Sequence, residues 1–400
     1  VPQRPPGAAR AFAAAAMAPK KKKAAEPAAA EEAKDAASPA EDAAPAKKKA
    51  KKAPAKKKAP AGPIPRSPLE RAAPPDGAKT LKVVSVNVAG LRAVLDEAKG
   101  PEKRDALAAL VASEAPDVLC LNEHKLKDED VDEAKEKLAA LLPAYSRAEF
   151  TCSGPPGKKG YSGVAMLFKD GGAVPADAAV TPGMPGVDAA VNDDIVNHEG
   201  RLLTLALPGT LSLVATYVPN SGQDLKRLAY RTEAGGWDRS LAAYVTALKA
   251  AGPVAVVGDL NCCHAAADMH NMHARPNFEE LNSGDVAIED QYTGLSAIKK
   301  QAGLTVEERV SFTKLLDDAG LVDSFRRQHP AATGVFTYYS QRVVANRPAN
   351  KGLRLDYVLA TPDLFDDGAA PALVDSFVLS DADTPQLADH TPVGATFVLE

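Results

Sequence analysis

The stretch PVAVVGDLNCCHAAAD (residues 253–268) carries the strongest clue to the fold. Its first five residues form a short, β-branched apolar run bounded by Gly258, which reads as a buried strand. Side chains on extended chain alternate between faces, so Asp259 and Asn261 project together from the mouth of that strand. Two readings are open at this point: an Asx-type turn that ends the strand, or a polar pair aimed at one spot.

Strand-like runs recur outward from it, at 82–88, 117–121, 163–168, 202–207, 211–218, 254–257, 353–359, 373–379 and 393–399. Helical spacing of apolar residues falls between several of them, over 103–113, 128–142 and 225–250, the last interrupted by Gly235 and Gly236. Residues 305–318 carry the clearest helix signals. Thr305 and Glu308 form a capping box, Phe312, Leu315, Leu316 and Ala319 share a face, and Gly320 stops the helix. Many strands with intervening helices predict stacked sheets covered by helices, an α/β sandwich.

Composition divides the chain. Residues 1–80 are rich in Ala, Pro and Lys and hold too few large apolar residues to offset the entropy of ordering, which predicts a disordered tail followed by one folded domain over 81–400. The tail has 18 Lys+Arg against 8 Asp+Glu, a net of +10; the whole chain is −4, which leaves −14 for the remainder. The clusters PKKKK (19–23), KKKAKK (47–52) and KKK (56–58) predict a nuclear-localisation signal or a nucleic-acid-binding arm. A start at Met17 would open MAPKKKK and favours the nucleus, whereas residues 1–16 resemble the end of a transit peptide, leaving an organelle as the alternative. No apolar run reaches membrane-spanning length, so no membrane association is expected. Cys120, Cys152, Cys262 and Cys263 make neither a disulfide framework nor a zinc spacing, which implies a reducing compartment.

A polar residue stands where strand after strand stops: Asn87 in SVNVAGLRA, Glu123 in VLCLNEHK, Tyr217 and Asn220 in ATYVPNSG, Asp356 in LRLDYVL, Asp389 and His390 in LADHTPVG. Over residues 81–400 these motifs, with GYSGVAML (160–167), EGR (199–201), RLAYR (227–231), GDLN (258–261), LTVEER, DSFR (323–326) and GLRLDY (352–357), come in one order. In that order the chain resembles the exonuclease III type of apurinic/apyrimidinic endonuclease, within the endonuclease/exonuclease/phosphatase superfamily. GDLN and DHTP belong to the whole superfamily; YVPNSG followed by RLAYR, together with GLRLDY, narrows the resemblance to its DNA-repair branch.

The resemblance implies a four-layered α/β sandwich, two packed mixed β-sheets flanked by helices. It implies a DNA-repair hydrolase that cuts the phosphodiester 5′ to an abasic site and leaves a 3′-OH and a 5′-deoxyribose phosphate. Whether 3′-exonuclease or phosphodiesterase activity accompanies incision stays open. Mg²⁺ is the implied ion, replaceable by Mn²⁺, with Glu123 as its best ligand, Asn87 beside it, and Asp259, Asn261, Asp389 and His390 completing the set. Asp259 would orient and deprotonate the attacking water with Asn261 fixing its geometry; His390 would contact the scissile phosphate, held by Asp356; Tyr217 would face the phosphate or the leaving oxygen. Tyr338, Tyr339 and Leu353 would line a slot for the flipped abasic sugar. Arg92, Lys125, Tyr161, Arg201, Asn220 and Arg227 would contact phosphates, and Arg231 would do so or form a structural ion pair. Double-stranded DNA with abasic sites is the implied partner, other base-excision repair proteins being possible further ones, and the protein is expected to be a monomer.

The pattern breaks in three places. Ala89 stands where the family has Asp, one acid fewer beside the cation. Val86, Asn122 and His124 replace Trp, Gln and Thr. Residues 264–303 exceed the family's equivalent segment by an acidic insertion, expected to be a tolerated surface loop or else a gate for DNA. Its His264, His270 and His273 are not expected to form a metal site. Two rival classes follow from these departures: another phosphoesterase of the superfamily, such as a phosphoinositide phosphatase, and a DNA-binding relative that lost turnover through Ala89.

Overall fold

A computed structural model describes residues 62–98, 100–187, 198–366 and 368–400. The clustered lysines of the tail lie outside the described residues. Twelve strands form among the described residues: β1 (Thr80–Asn87), β2 (Val118–Asn122), β3 (Arg147–Thr151), β4 (Val164–Phe168), β5 (Val180–Pro182), β6 (Leu202–Leu207), β7 (Leu211–Tyr217), β8 (Val254–Asp259), β9 (Val322–Asp323), β10 (Asp356–Ala360), β11 (Ala372–Val378) and β12 (Val393–Val398). They make two six-stranded sheets, in the orders β11-β12-β1-β2-β4-β3 and β5-β6-β7-β8-β10-β9. Each sheet has a parallel pair near its centre, β1 with β2 and β7 with β8, among antiparallel neighbours, so both are mixed. The continuous apolar runs of the sequence are these central strands, buried on both faces.

Between the sheets lies one apolar layer built from alternate residues, among them Leu81, Val83, Cys120, Met166, Leu213, Ala255, Val257 and Phe397. The opposite residues of the first sheet, Val84, Val86, Leu119 and Leu121, pack under helices α1 (Leu91–Leu95), α2 (Pro101–Glu114) and α3 (Val131–Leu141). Those of the second, Val214, Val254, Val256 and Leu359, pack under α5 (Trp237–Leu248) and α8 (Val306–Ala319), with fully buried Trp237 at the seam. Four layers result, helix, sheet, sheet and helix, as expected.

The long helical stretch at 225–250 is split into α4 (Leu228–Thr232) and α5 by the Gly pair, where a Cβ on Gly236 would lie 2.6 Å from the Tyr230 carbonyl. Helix α8 starts and stops as its signals predict: the Thr305 hydroxyl accepts from the Glu308 N–H, and Gly320 takes the left-handed cap. Strands β3, β5 and β9 have no comparable sequence signal; they are edge or two-residue strands, whose patterning is weak. The predicted strand 353–359 begins only at Asp356, because Leu353 pairs instead with Tyr338 and Met269 in isolated bridges.

Two expectations need correction. Residues 62–79, placed in the tail, are fastened to the body: Arg71 Nε sits 2.6 Å from Asp375, Arg66 donates to the Val378 carbonyl, and Ile64 and Ser67 donate to Ala349 and Thr333 carbonyls. Polar contacts hold much of this segment, with Leu69 packed on the core and Arg71 over the Phe377 ring, and its few apolar residues are why composition misplaced it. The insertion is not a loop draped over the surface either. It contains α6 (His270–His273) and α7 (Phe278–Asn282) and a small core of its own in which Met269, Met272, Leu281, Tyr292 and Leu304 are buried. Beneath it Arg354, 1 % exposed, reaches Asp268 at 2.7 Å and Asp323 at 2.5 Å, while Arg326 also reaches Asp268 at 2.9 Å. Removing one member of so buried a network costs about 3–5 kcal/mol, because its partner charge is stranded.

Candidate active site

Strand register assembles the site. Asp259 at the end of β8 pairs with Tyr217 of parallel β7 on one side and Asp356 of antiparallel β10 on the other. Asn87 ends β1 and pairs with Asn122 of β2, so Glu123 follows directly beside it. His390 precedes β12, which runs antiparallel along β1. The ends of both sheets' central strands therefore open on one spot.

Three groups are tied there by short bonds. Asn87 Nδ2 donates to Glu123 Oε2 at 2.8 Å and to Asp259 Oδ2 at 2.9 Å, bridging the sheets. Asp259 Oδ1 accepts the Asn261 N–H at 2.8 Å. That bond is an Asx turn, the first of the two readings of the opening stretch, and it fixes the direction of the Asp259 carboxylate. His390 Nδ1 lies 2.8 Å from Asp356 Oδ2, and its Nε2 is 3.9 Å from Asp259 Oδ2. Burial opposes the imidazolium, but Asp356, Asp259 and Asp389 outweigh it and push the His390 pKa up to about 10. Burial, then the Asp356 charge, raises the Asp259 carboxyl above the usual range, against the pull of His390 and the Asn87 and Asn261 hydrogen bonds. Tyr217 is 8 % exposed, and burial, reinforced by Glu123 and Asp259, raises its phenol well above the ordinary value, so it keeps its proton.

Ala89, Glu123, Lys125 and Asn261 all have φ between +49° and +57°. Asn tolerates this left-handed region; the other three hold about 1–3 kcal/mol of strain each, the kind of backbone found where side chains must be aimed.

Asp259, Asp356 and His390 offer ligand atoms within 4.8 Å of one another, a group able to hold a metal ion. Glu123 is bridged to this group through Asn87, with Lys125 Nζ 2.7 Å from its other oxygen. The amide of Asn261 is spent on positioning: Nδ2 donates to the Val218 carbonyl and Oδ1 accepts from Asn220, both at 2.8 Å. Buried oxygens Asp356 Oδ1 and Asp389 Oδ1 have no hydrogen-bond partner among the described residues.

Of the expected slot residues, Tyr338 and Leu353 line an open groove of about 900 Å³ that borders the site through Asn220 and Asp389. Tyr338 lies against the His390 ring at 5.0 Å. Tyr339 does not join them: it is 8 % exposed, with its hydroxyl on Asn350 and the Arg347 guanidinium over its ring. Neighbours on extended chain face opposite ways, so only one of the pair can reach the groove. Among the expected phosphate contacts, Arg92 is exposed although paired with Asp130, and Tyr161 is 38 % exposed and touches Arg227, which chelates Glu199. Arg201 departs from its expected role: at 2 % exposure it bonds Glu199 at 2.5 Å and the Tyr217 carbonyl at 3.0 Å, and supports Tyr217 from behind. Arg231 is structural, buried against Asp238 and holding the Leu260 and Asn261 carbonyls. Thr337, unremarked in the sequence, accepts from the Leu355 and Asp356 N–H groups and so sets the start of β10; a lone buried Thr carries no pattern that would reveal it. The three insertion histidines are used separately, on Thr313, Gly352 and Ala267.

This constellation agrees with comparisons to known proteins. The model of the endonuclease/exonuclease/phosphatase family matches residues 84–371. The chain belongs to this family. A Danio rerio protein named DNA repair nuclease APEX1 is 33 % identical over 327 residues, 82 % of this chain and 85 % of that protein. An exodeoxyribonuclease of Bacillus subtilis is 30 % identical over 313 residues, 78 % of this chain and 98 % of its own length. The crystal structure of a Leishmania major AP endonuclease superposes with a TM-score of 0.63 at 28 % identity, covering 84 % of this chain and 93 % of that one. The family is shared with phosphatases, but both curated relatives are nucleases by name, and nothing in the comparisons favours a phosphoinositide substrate.

Proposed function

We propose that this family member is a DNA-repair endonuclease that hydrolyses the phosphodiester 5′ to an abasic site in double-stranded DNA, releasing a 3′-OH and a 5′-deoxyribose phosphate. The observation that carries the reading is the register that sets Tyr217, Asp259 and Asp356 side by side with His390 and Asn87 against them. Asp259, aimed by Asn87 and the Asn261 N–H, takes the proton of the attacking water. His390, kept charged by Asp356, donates to a phosphoryl oxygen, where it stabilises the charge that grows in the transition state. Tyr217, its proton retained, faces the leaving oxygen. The slot walls Tyr338 and Leu353 accept a sugar that has no base.

The donors fit a hard divalent ion: the unsatisfied oxygens of Asp356 and Asp389 stand in a site of carboxylates and amides. Glu123, linked to Asp259 through Asn87, would hold Mg²⁺, or Mn²⁺ in its place, together with Asp259 and Asp389, and the ion would add positive charge at the phosphate. The polybasic clusters of residues 19–58 support a nuclear protein whose tail binds nucleic acid. The name of the Bacillus relative supports an accompanying 3′-exonuclease activity.

Incision of a labelled duplex carrying one tetrahydrofuran analogue tests the reading. We expect metal-dependent cleavage on the 5′ side, reduced by about 10²–10⁴-fold in Asp259→Ala. Full activity of that variant would overturn it, and tight binding without cleavage by the native protein would make it a damage-binding relative.

A further inference from the structure

The groove beside the site has cations that the family motifs did not point to. Lys300, at the end of the insertion, and Arg342 and Lys351, in the segment before β10, all line it. Among the described residues none of the three has a carboxylate within ion-pair distance. The cations expected from sequence differ: Arg92, Lys125, Arg201 and Arg227 are each bound to an acid of the body. The fields of two groove cations are felt by its walls, Arg342 by Tyr338 and Lys351 by His270. Asp224 and Asp389 are the acids of the lining, so the groove is locally positive on a domain of strongly negative net charge. Val343, 53 % exposed, lines the same groove, and Val344 beside it is 85 % exposed, so the loop presents both apolar and cationic contacts outward.

We infer that Lys300, Arg342 and Lys351 form a phosphate-binding wall that grips the DNA backbone next to the slot, with the insertion as its support. The inference rests on the proposed DNA substrate and deepens it. Three cations without an ion-pair partner on one concave wall, against two acids of the lining, match a polyanion, and each phosphate neutralised releases counterions from the duplex. The wall is packed onto the insertion's core, where Leu304 is buried, and His270 is tied to Gly352.

Binding of the full-length protein to a tetrahydrofuran duplex and to its intact counterpart is to be followed by fluorescence anisotropy across a salt series, in EDTA. We expect Lys300→Ala, Arg342→Ala and Lys351→Ala each to flatten the log K against log salt slope by about 0.9 and the triple variant by about 2.7, weakening both duplexes by the same factor. Lys137→Ala, on the outer helix layer, should leave the slope as it is. An unchanged slope in the triple variant would overturn the inference, as would a loss confined to the abasic duplex, which would make these residues readers of the lesion. Failure of the native protein to bind or cut abasic DNA would instead overturn the function on which it rests.

Discussion

Asp259 is a carboxylate held on every side: Asn87 and the Asn261 N–H aim it, and His390 opposes its charge while Asp356 adds a like one. Replacing Asp356 by Asn removes the strongest field that raises the His390 pKa, so the imidazolium is lost at lower pH. The alkaline limb of the kcat/KM profile should shift to lower pH, and the acid limb, set by protonation of Asp259, should move down with it, because the Asp356 charge also raises that carboxyl; an unmoved alkaline limb would separate His390 from the rate. Ala89 is the other decisive residue. Its φ of 50° suits Asp better than Ala, and its N–H donates to the Oδ1 of Asn87, which bridges Glu123 and Asp259. Ala89→Asp should lower the Mg²⁺ needed for half-maximal incision by about tenfold without lowering Tm, measured by metal titration and thermal melting.

Among the elements, the turn after β2 shows how a departure from the family pattern was absorbed. His124 is fully buried against Phe150 and over Gly163, where a Cβ would lie 2.3 Å from the imidazole. Its Nδ1 accepts the Leu126 N–H and its Nε2 donates to the Thr151 carbonyl, which fastens the turn carrying Glu123 and Lys125 to β3. Burial holds its pKa down at about 4, against an unfolded value of 6.5. Because the folded state binds the proton less readily, stability is complete above pH 6.5 and falls as pH drops toward 4, by about 3 kcal/mol in all. Urea melts at a series of pH values should show this loss, and His124→Gln, which cannot take up a proton, should flatten it. The insertion behaves as a second such element, a small core hung on the Asp268–Arg354 pair, and Arg354 in turn lies between slot residue Leu353 and the positioning acid Asp356.

For the molecule as a whole, charge is divided between chain regions. Residues 1–61 hold 15 Lys+Arg against 6 Asp+Glu, while the body is acidic. Deleting residues 1–61 should flatten the salt dependence of DNA binding and leave Tm as it was. Deleting through residue 79 should in addition lower Tm, since it removes Arg66 and Arg71 from the Val378 and Asp375 anchors. An unchanged salt slope in the shorter deletion would dismiss the nucleic-acid role of the tail.

Local pattern was enough for the central strands, the capped helix α8 and the polar residues at strand ends, because burial on both faces and cap chemistry are written in neighbouring residues. Each of Asn87, Glu123, Tyr217, Asp259, Asp356 and His390 is ambiguous alone, and it is the family resemblance carried by their motif order that names them as one set. What it could not supply was which cations are free. Arg201 and Lys300 are both basic residues near motifs, yet one is neutralised by Glu199 inside the body and the other lines the groove unpaired. That difference depends on acids brought near from elsewhere in the chain, as do the opposite fates of Tyr338 and Tyr339 and the fastening of residues 62–79 by Asp375. The two-sheet architecture and the chemical groups of the site are thus written along the chain. Which charges are compensated is settled only in the folded molecule, because Coulomb pairing and desolvation depend on distance in space and not on separation in sequence.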